Sequence, residues 1–333
     1  MPVRVITTGG TIAQLLGEEQ EQARHVTGGD LMAALRASAD YAEVPQAEVE
    51  VEDVFDLPST YIGLDEMLTI AQRVAAAAAD PAVAGVVVTH GTATVEETIY
   101  FVDIVAGTAK PVVFTGAQRF PQTVGYDGHR NLEHAISLAS SPAMTGVGAV
   151  LVMDGEIHAA RDVTEVDPNS SGGFHSVAYG PIGRVESGRV MLGRMPVRDS
   201  PVAGVRRPLA RVDLLTTYAG MPGDVVLAVG GLGAGGLVIE GLTSGAVPEG
   251  IAGAVRELVG RGIVVAVGTR CPAGGVLHRS ARYGGVRGYG PELDRLGVVL
   301  TDLSGVKARC RLAALLSAGL PATEVRDRMR SPV

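Results

Sequence analysis

The segment Val86–Tyr100, VVVTHGTATVEETIY, joins an apolar β-branched run to a hydroxyl-rich turn and then to helix-forming sequence. A run with no polar face belongs to a strand covered on both sides, as in parallel sheets whose crossover helices pack on both faces. The alternation recurs. Strand-like runs at 3–7, 48–55, 84–89, 111–115 and 147–153 are separated by helix-like runs at 29–39, 64–79, 94–106 and 129–140. The fold class is therefore α/β, with a parallel sheet in the first part of the chain. The less regular stretch 154–195 contains AYGPIGRVESGRVML and reads as β-hairpin material.

Pro, Arg and Gly increase over 196–211, which reads as a linker. Beyond it, strand-like runs at 212–216, 224–229, 263–268 and 298–300 and helix-like runs at 249–260 and 305–318 outline a second, smaller α/β domain. The expected organisation is a larger N-terminal domain over 1–195, a linker over 196–211 and a C-terminal domain over 212–333.

Composition narrows the function classes. A net charge of −8 argues against a nucleic-acid or anionic-membrane surface, because phosphate binding needs a concentrated basic face. The longest apolar stretch, AQRVAAAAADPAVAGVVV, is broken by Arg73, Asp80 and Pro81 and is too short to span a bilayer. Two cysteines, Cys271 and Cys310, make no disulfide framework, and the first strand begins at Val3 without a charged leader. A cytoplasmic location is the expectation.

Familiar cofactor motifs do not fit. Gly231, Gly233 and Gly236 form GxGxxG after DVVLAVG, read as a strand, but the chain continues LVIEGLTSGAVPEG, where no helix can start on the glycines to face a pyrophosphate. The seven histidines include no HxxxH or HExxH, and neither GxSxG nor a P-loop occurs. No metal and no cofactor are expected.

Threonine is what remains. A turn threonine ordinarily secures its loop through local hydrogen bonds. Thr11, in TGGTIA after the strand VRVIT, and Thr92, in THGT after VVV, instead both fall beside glycine at strand carboxyl ends. A hydroxyl there can face a crevice, with backbone N–H groups available as oxyanion donors.

Four segments carry a wider resemblance: TGGTIA at Thr8–Ala13, THGTATVEETIYFVD at Thr89–Asp103, PVVFTGAQR at Pro111–Arg119 and ARDVT at Ala160–Thr164. In this order and spacing the chain resembles the bacterial-type L-asparaginase/glutaminase family. The resemblance implies a two-domain, cofactor-free α/β enzyme that acts on a small-molecule substrate. It also implies assembly with itself, as a homotetramer built from dimers or as a homodimer, each active site lying between one subunit's large domain and its neighbour's small domain. In that family side-chain amides are cleaved through a threonine-linked acyl intermediate. Carried over by motif, Thr11 is the nucleophile and Thr92 the second threonine. Ser59, with Thr60 beside it in DLPST, holds the substrate carboxylate, Gly91 and Ala93 flank Thr92, and Ala117 lines the amide site through its backbone.

The departures sharpen the expectation. Where the family has the triad aspartate this chain has Ala93, and where it has the triad lysine this chain has Glu165. The two lysines, Lys110 and Lys307, fall in segments that align elsewhere. The lid tyrosine has no counterpart, Arg24 or His25 falling near its place, and the asparagine of the family's small-domain turn aligns with Gly236. Free asparagine presents an ammonium and a carboxylate, and each buried group left unpaired costs about 1–3 kcal/mol. The reading is an asparaginase-like amidohydrolase with Thr11, Thr92 and Glu165 as candidate catalytic groups, Glu165 or His25 serving as general base. Its substrate is expected to be an amide, lactam or ester other than free L-asparagine. The alternatives are a weak L-asparaginase and a non-catalytic binding protein on the same scaffold.

Overall fold

The computed structural model describes residues 1–15, 24–38, 47–276 and 287–330, with the side chains of residues 24 and 25 left outside. Contacts divide the chain into two units, Met1–Pro201 and Val202–Val333.

In the first unit β1 (Val3–Thr7) leads through a short hairpin, β2 (Gln14–Leu15) and β3 (Arg24–His25), to helix α1 (Gly28–Ala37). Then come β4 (Val49–Asp53), α2 (Leu64–Ala79), β5 (Gly85–Thr89), α3 (Val95–Ala106), β6 (Val112–Thr115), α4 (Gly128–Ser140) and β7 (Ala149–Met153). Strand β8 (Glu156–Ala159), the short pair β9 (Thr164–Glu165) and β10 (Phe174–His175), and the hairpin β11 (Gly183–Glu186) and β12 (Arg189–Leu192) complete it. Eight strands form one sheet in the order β12-β11-β8-β7-β6-β5-β1-β4. From β4 to β7 neighbours are parallel, and beyond β7 they are antiparallel. Val86, Val87 and Val88 are fully buried because α2 and α3 cover one face of this sheet and α1 and α4 the other.

Local chemistry sets the helix ends. Thr27 and Asp30 form a reciprocal capping box at the start of α1. Glu66 accepts from Gly63 N–H at 2.9 Å before α2, and α3 stops at Gly107, whose φ of 55° is left-handed.

The second unit holds a parallel four-stranded sheet, β13 (Val212–Thr216), β14 (Gly236–Gly241), β15 (Val264–Thr269) and β16 (Val299–Leu300), in sequential order. Helices α5 (Gly223–Gly230) and α6 (Glu249–Gly260) pair with each other, as do α8 (Gly305–Ser317) and α9 (Ala322–Met329), while α7 (Gly290–Arg295) packs by β16.

Two expectations are corrected here. The run 224–229 is helix α5, not a strand: Val226 and Gly230, four apart, form its buried face, and Gly230 lies where a Cβ would strike Leu258 of α6. A short apolar run has no period that separates helix from strand, and packing decides. The strand belongs to LVIEG instead. Gly236 consequently begins β14, where a Cβ would lie 2.7 Å from Leu312 of α8, rather than occupying a turn. The turn at the carboxyl end of that strand is Leu242–Ala246.

Candidate active site

Strand β1 lies between β4 and β5, so the chain leaves it first toward one side and later returns on the other. That reversal makes the carboxyl ends of β1 and β5 a topological switch point, the usual ligand position in open parallel sheets. Register places Thr7 opposite Thr89, and the loops carrying Thr11 and Thr92 therefore emerge side by side.

Backbone hydrogen bonds join four successive loops. Leu57 N–H donates to Thr8 C=O at 3.3 Å, Thr8 N–H and Oγ1 both donate to Thr89 C=O at 3.2 and 2.8 Å, and His90 N–H donates to Thr115 C=O at 2.9 Å. Glycines allow the loops to touch. A Cβ on Gly10, which has φ 87° and ψ 177°, would lie 2.5 Å from Gly91 Cα, and one on Gly91 would lie 2.5 Å from Ser59 Oγ. A Cβ on Gly116 would fall 2.5 Å from His90 C=O and 3.9 Å from Thr92 Cγ2. Thr11, Ser59 and Thr92 each begin a 3₁₀ turn that directly follows these contacts. Three hydroxyl residues distant in sequence are thus brought to one place.

The surroundings of each differ. Ser59 is buried, its carbonyl accepting from Thr94 Oγ1 at 2.8 Å, while Thr11 and Thr92 are half-buried. Thr60 and Ala93 are exposed. Ala117 is buried with its methyl in the core, so its backbone is the part left for a ligand. Glu165, half-buried on β9, accepts from Gln118 Nε2 at 2.9 Å; this hydrogen bond runs to the loop after β6 rather than to Thr92. The side chain of His25 lies outside the described residues, although its backbone pairs with Gln14. His90 is fully buried, and loss of hydration lowers its pKa to about 4, only partly offset by its Nδ1 contact with Gly91 C=O at 2.7 Å. The imidazole is neutral at pH 7.

Three further residues shape the site, and no local sequence signal marks them. Asp127 accepts from Gln118 N–H and Arg119 N–H, both at 3.1 Å, and from Asn131 Nδ2 at 2.9 Å. Buried Asn131 also donates to Gly116 C=O at 3.1 Å and accepts from Asp154 N–H at 3.1 Å, leaving no amide atom unused. Tyr126 Oη donates to Ile12 C=O at 3.0 Å, and its ring meets that of His129 edge-on at 4.9 Å. Burial, reinforced by the charge of Asp127, raises the phenol pKa, so Tyr126 remains a donor.

A cavity of about 330 Å³ opens on the other side of β1, lined by Thr7, Gly9, Val26, Asp53, Phe55 and Asp56 among others. It does not include Thr11, Ser59 or Thr92. The loop convergence, not this cavity, gathers the hydroxyl chemistry.

Residues 2–198 match the model of the asparaginase N-terminal domain, and residues 211–329 match that of the glutaminase/asparaginase C-terminal domain. The chain belongs to the asparaginase family. Similar proteins include an L-asparaginase of Bacillus licheniformis, 32% identical over 95% of both chains. A glutaminase-asparaginase of Pseudomonas aeruginosa is 29% identical, covering 95% of this chain and 86% of that protein. The crystal structure of a probable cytoplasmic L-asparaginase from Campylobacter jejuni superposes with a TM-score of 0.84 at 25% identity over 98% of each chain. Membership makes this chain a hydrolase of carbon–nitrogen bonds on the two-domain asparaginase fold. Among the described residues no helix is long and apolar enough to cross a membrane.

Proposed function

We propose that this asparaginase-family hydrolase uses Thr11 as its nucleophile on an amide, lactam or ester other than free L-asparagine. The observation that carries the reading is the contact of Gly10 with Gly91, which sets Thr11 and Thr92 at adjoining turns with the Ser59 hydroxyl against Gly91. Thr11 Oγ1 attacks the substrate carbonyl, loop N–H groups receive the oxyanion, and the amine or alcohol leaves as the acyl-threonine forms. Water then attacks the ester, which returns the Thr11 hydroxyl. Glu165, fixed by Gln118, is the carboxylate proposed to accept the proton of the Thr11 hydroxyl and return it to the departing nitrogen or oxygen, then to take the proton of the attacking water and return it to Thr11 Oγ1. Ala93 is exposed and offers no charge, so an ammonium finds no partner there and a bulkier, less polar group has room. The chain is proposed to act as a cytoplasmic homo-oligomer whose site is completed by a second copy.

A panel of simple amides, N-substituted asparagines, lactams and esters, assayed beside L-asparagine and L-glutamine for release of ammonia, amine or alcohol and, for the lactams, for the new amino group of the ring-opened product, tests this reading. The expected result is a preferred compound outside the two free amino acids, with turnover abolished by Thr11→Ala. L-asparagine as the best substrate would favour the second reading, a weak L-asparaginase, which the 32% identity to the Bacillus licheniformis L-asparaginase supports.

A further inference from the structure

Residues 126 and 127 hold two loops at once. Asp127 fixes the loop after β6 by taking the N–H groups of Gln118 and Arg119, and the Gln118 side chain in turn holds Glu165. Tyr126 reaches the other way. Its hydroxyl crosses to Ile12 C=O, the carbonyl next to the proposed nucleophile, within the 3₁₀ turn Thr11–Ala13. That turn is also held by its own bonds, Ala13 N–H to Gly10 C=O at 3.0 Å and Gln14 N–H to Thr11 C=O, and at its far end by Val26 N–H to Ala13 C=O at 2.9 Å, while Gly10 enters it in an extended, positive-φ conformation. Glycine restrains its own dihedrals weakly, so a side-chain anchor at the residue next to Thr11 adds restraint that Gly10 does not supply.

We infer that Tyr126 is a positioning residue for Thr11, coupling the nucleophile's turn to the loop that carries Gln118 and, through it, Glu165. The inference rests on the proposed role of Thr11. Tyr126 touches neither Thr11 Oγ1 nor a reacting atom. It acts through Ile12 C=O: with the hydroxyl present the turn has one arrangement, and without it the turn samples others in which the Thr11 hydroxyl points away from the substrate.

Tyr126→Phe is the test, because it removes one hydroxyl and keeps the ring against His129. With the best compound of the panel, kcat is expected to fall roughly 3–10-fold, the population cost of one lost hydrogen bond, while KM stays within about twofold. Hydrogen–deuterium exchange in a peptide covering residues 8–15 is expected to quicken by a similar factor, with peptides of β5 and β6 unchanged. Exchange at 8–15 equal to that of the unsubstituted protein overturns the inference, and so does faster exchange with kcat and KM both intact. A variant that only melts earlier, with neither readout altered, assigns Tyr126 to packing and also overturns it. Turnover that survives Thr11→Ala defeats the functional reading instead, and the exchange measurement still decides whether Tyr126 holds the turn.

Discussion

Replacing Gly10 with alanine tests the loop contact on which the site depends. At φ 87° and ψ 177° Gly10 occupies a region essentially closed to residues with a Cβ, which costs about 1–3 kcal/mol. The added methyl would also lie 2.5 Å from both Cα and N of Gly91 and 3.1 Å from His90 C. These are backbone atoms of a loop tied to β6 and cannot swing aside as a side-chain end can, so overpacking adds about 1–3 kcal/mol. Gly146→Ala provides the reference: its φ is 81°, similar to that of Gly10, but a Cβ there meets nothing within 4 Å. Its cost is the left-handed backbone alone, about 1–2 kcal/mol. Urea unfolding of both variants should show Gly10→Ala the less stable by about 1–3 kcal/mol, from the overlap together with the more restricted backbone region of Gly10. If the loops relieve the overlap by separating, the stability difference shrinks while Thr11 moves away from Thr92, and a displacement near 1 Å lowers turnover by about 100-fold. Equal unfolding free energies for the two variants, together with undiminished turnover in Gly10→Ala, would refute the contact.

Three other outcomes follow from the same geometry. Asp127→Ala removes the acceptor of two backbone N–H groups and of buried Asn131, and should lower unfolding free energy by about 2–4 kcal/mol in a urea titration. Arg198→Ala leaves buried Asp103, whose pKa is raised chiefly by loss of hydration, with only Ala149 N–H from this pair of partners. A loss of about 3–5 kcal/mol is expected, and a loss under about 1 kcal/mol would show that the pair matters little. His90 has a folded pKa of about 4, below the 6.5 of the exposed group, so the unfolded chain binds its proton first. Its contribution to stability is complete above pH 6.5 and is lost as pH falls toward 4, up to about 3 kcal/mol. An NMR titration should find His90 neutral at pH 5.5.

The parallel sheet was legible because fully apolar, β-branched strands and their crossover helices leave a strong local pattern. Thr11 and Thr92 could be placed at strand ends from that pattern alone. What local sequence could not supply were choices made by packing. DVVLAVG became α5 because Val226 and Gly230 face α6, and LVIEG took the strand expected at 224–229. Assigning Gly236 to a turn failed for the same reason, since its position is set by Leu312 of a helix about 70 residues later. The anchors Tyr126, Asp127 and Asn131 act across loops, and nothing in YDGHRN records that Tyr126 will meet Ile12. Likewise, Glu165 could be read as a carboxylate near the site, but its hold by Gln118 exists only once β9 approaches the loop after β6.

The central claim is that Thr11 carries the acyl group. Acid quenching during turnover of the preferred amide or ester, followed by peptide mass mapping, measures this directly. The account predicts an adduct with the mass of the substrate's acyl group on the peptide containing Thr11, absent in Thr11→Ala, which also lacks turnover. Full turnover in Thr11→Ala, or an acyl adduct confined to another residue, would contradict it.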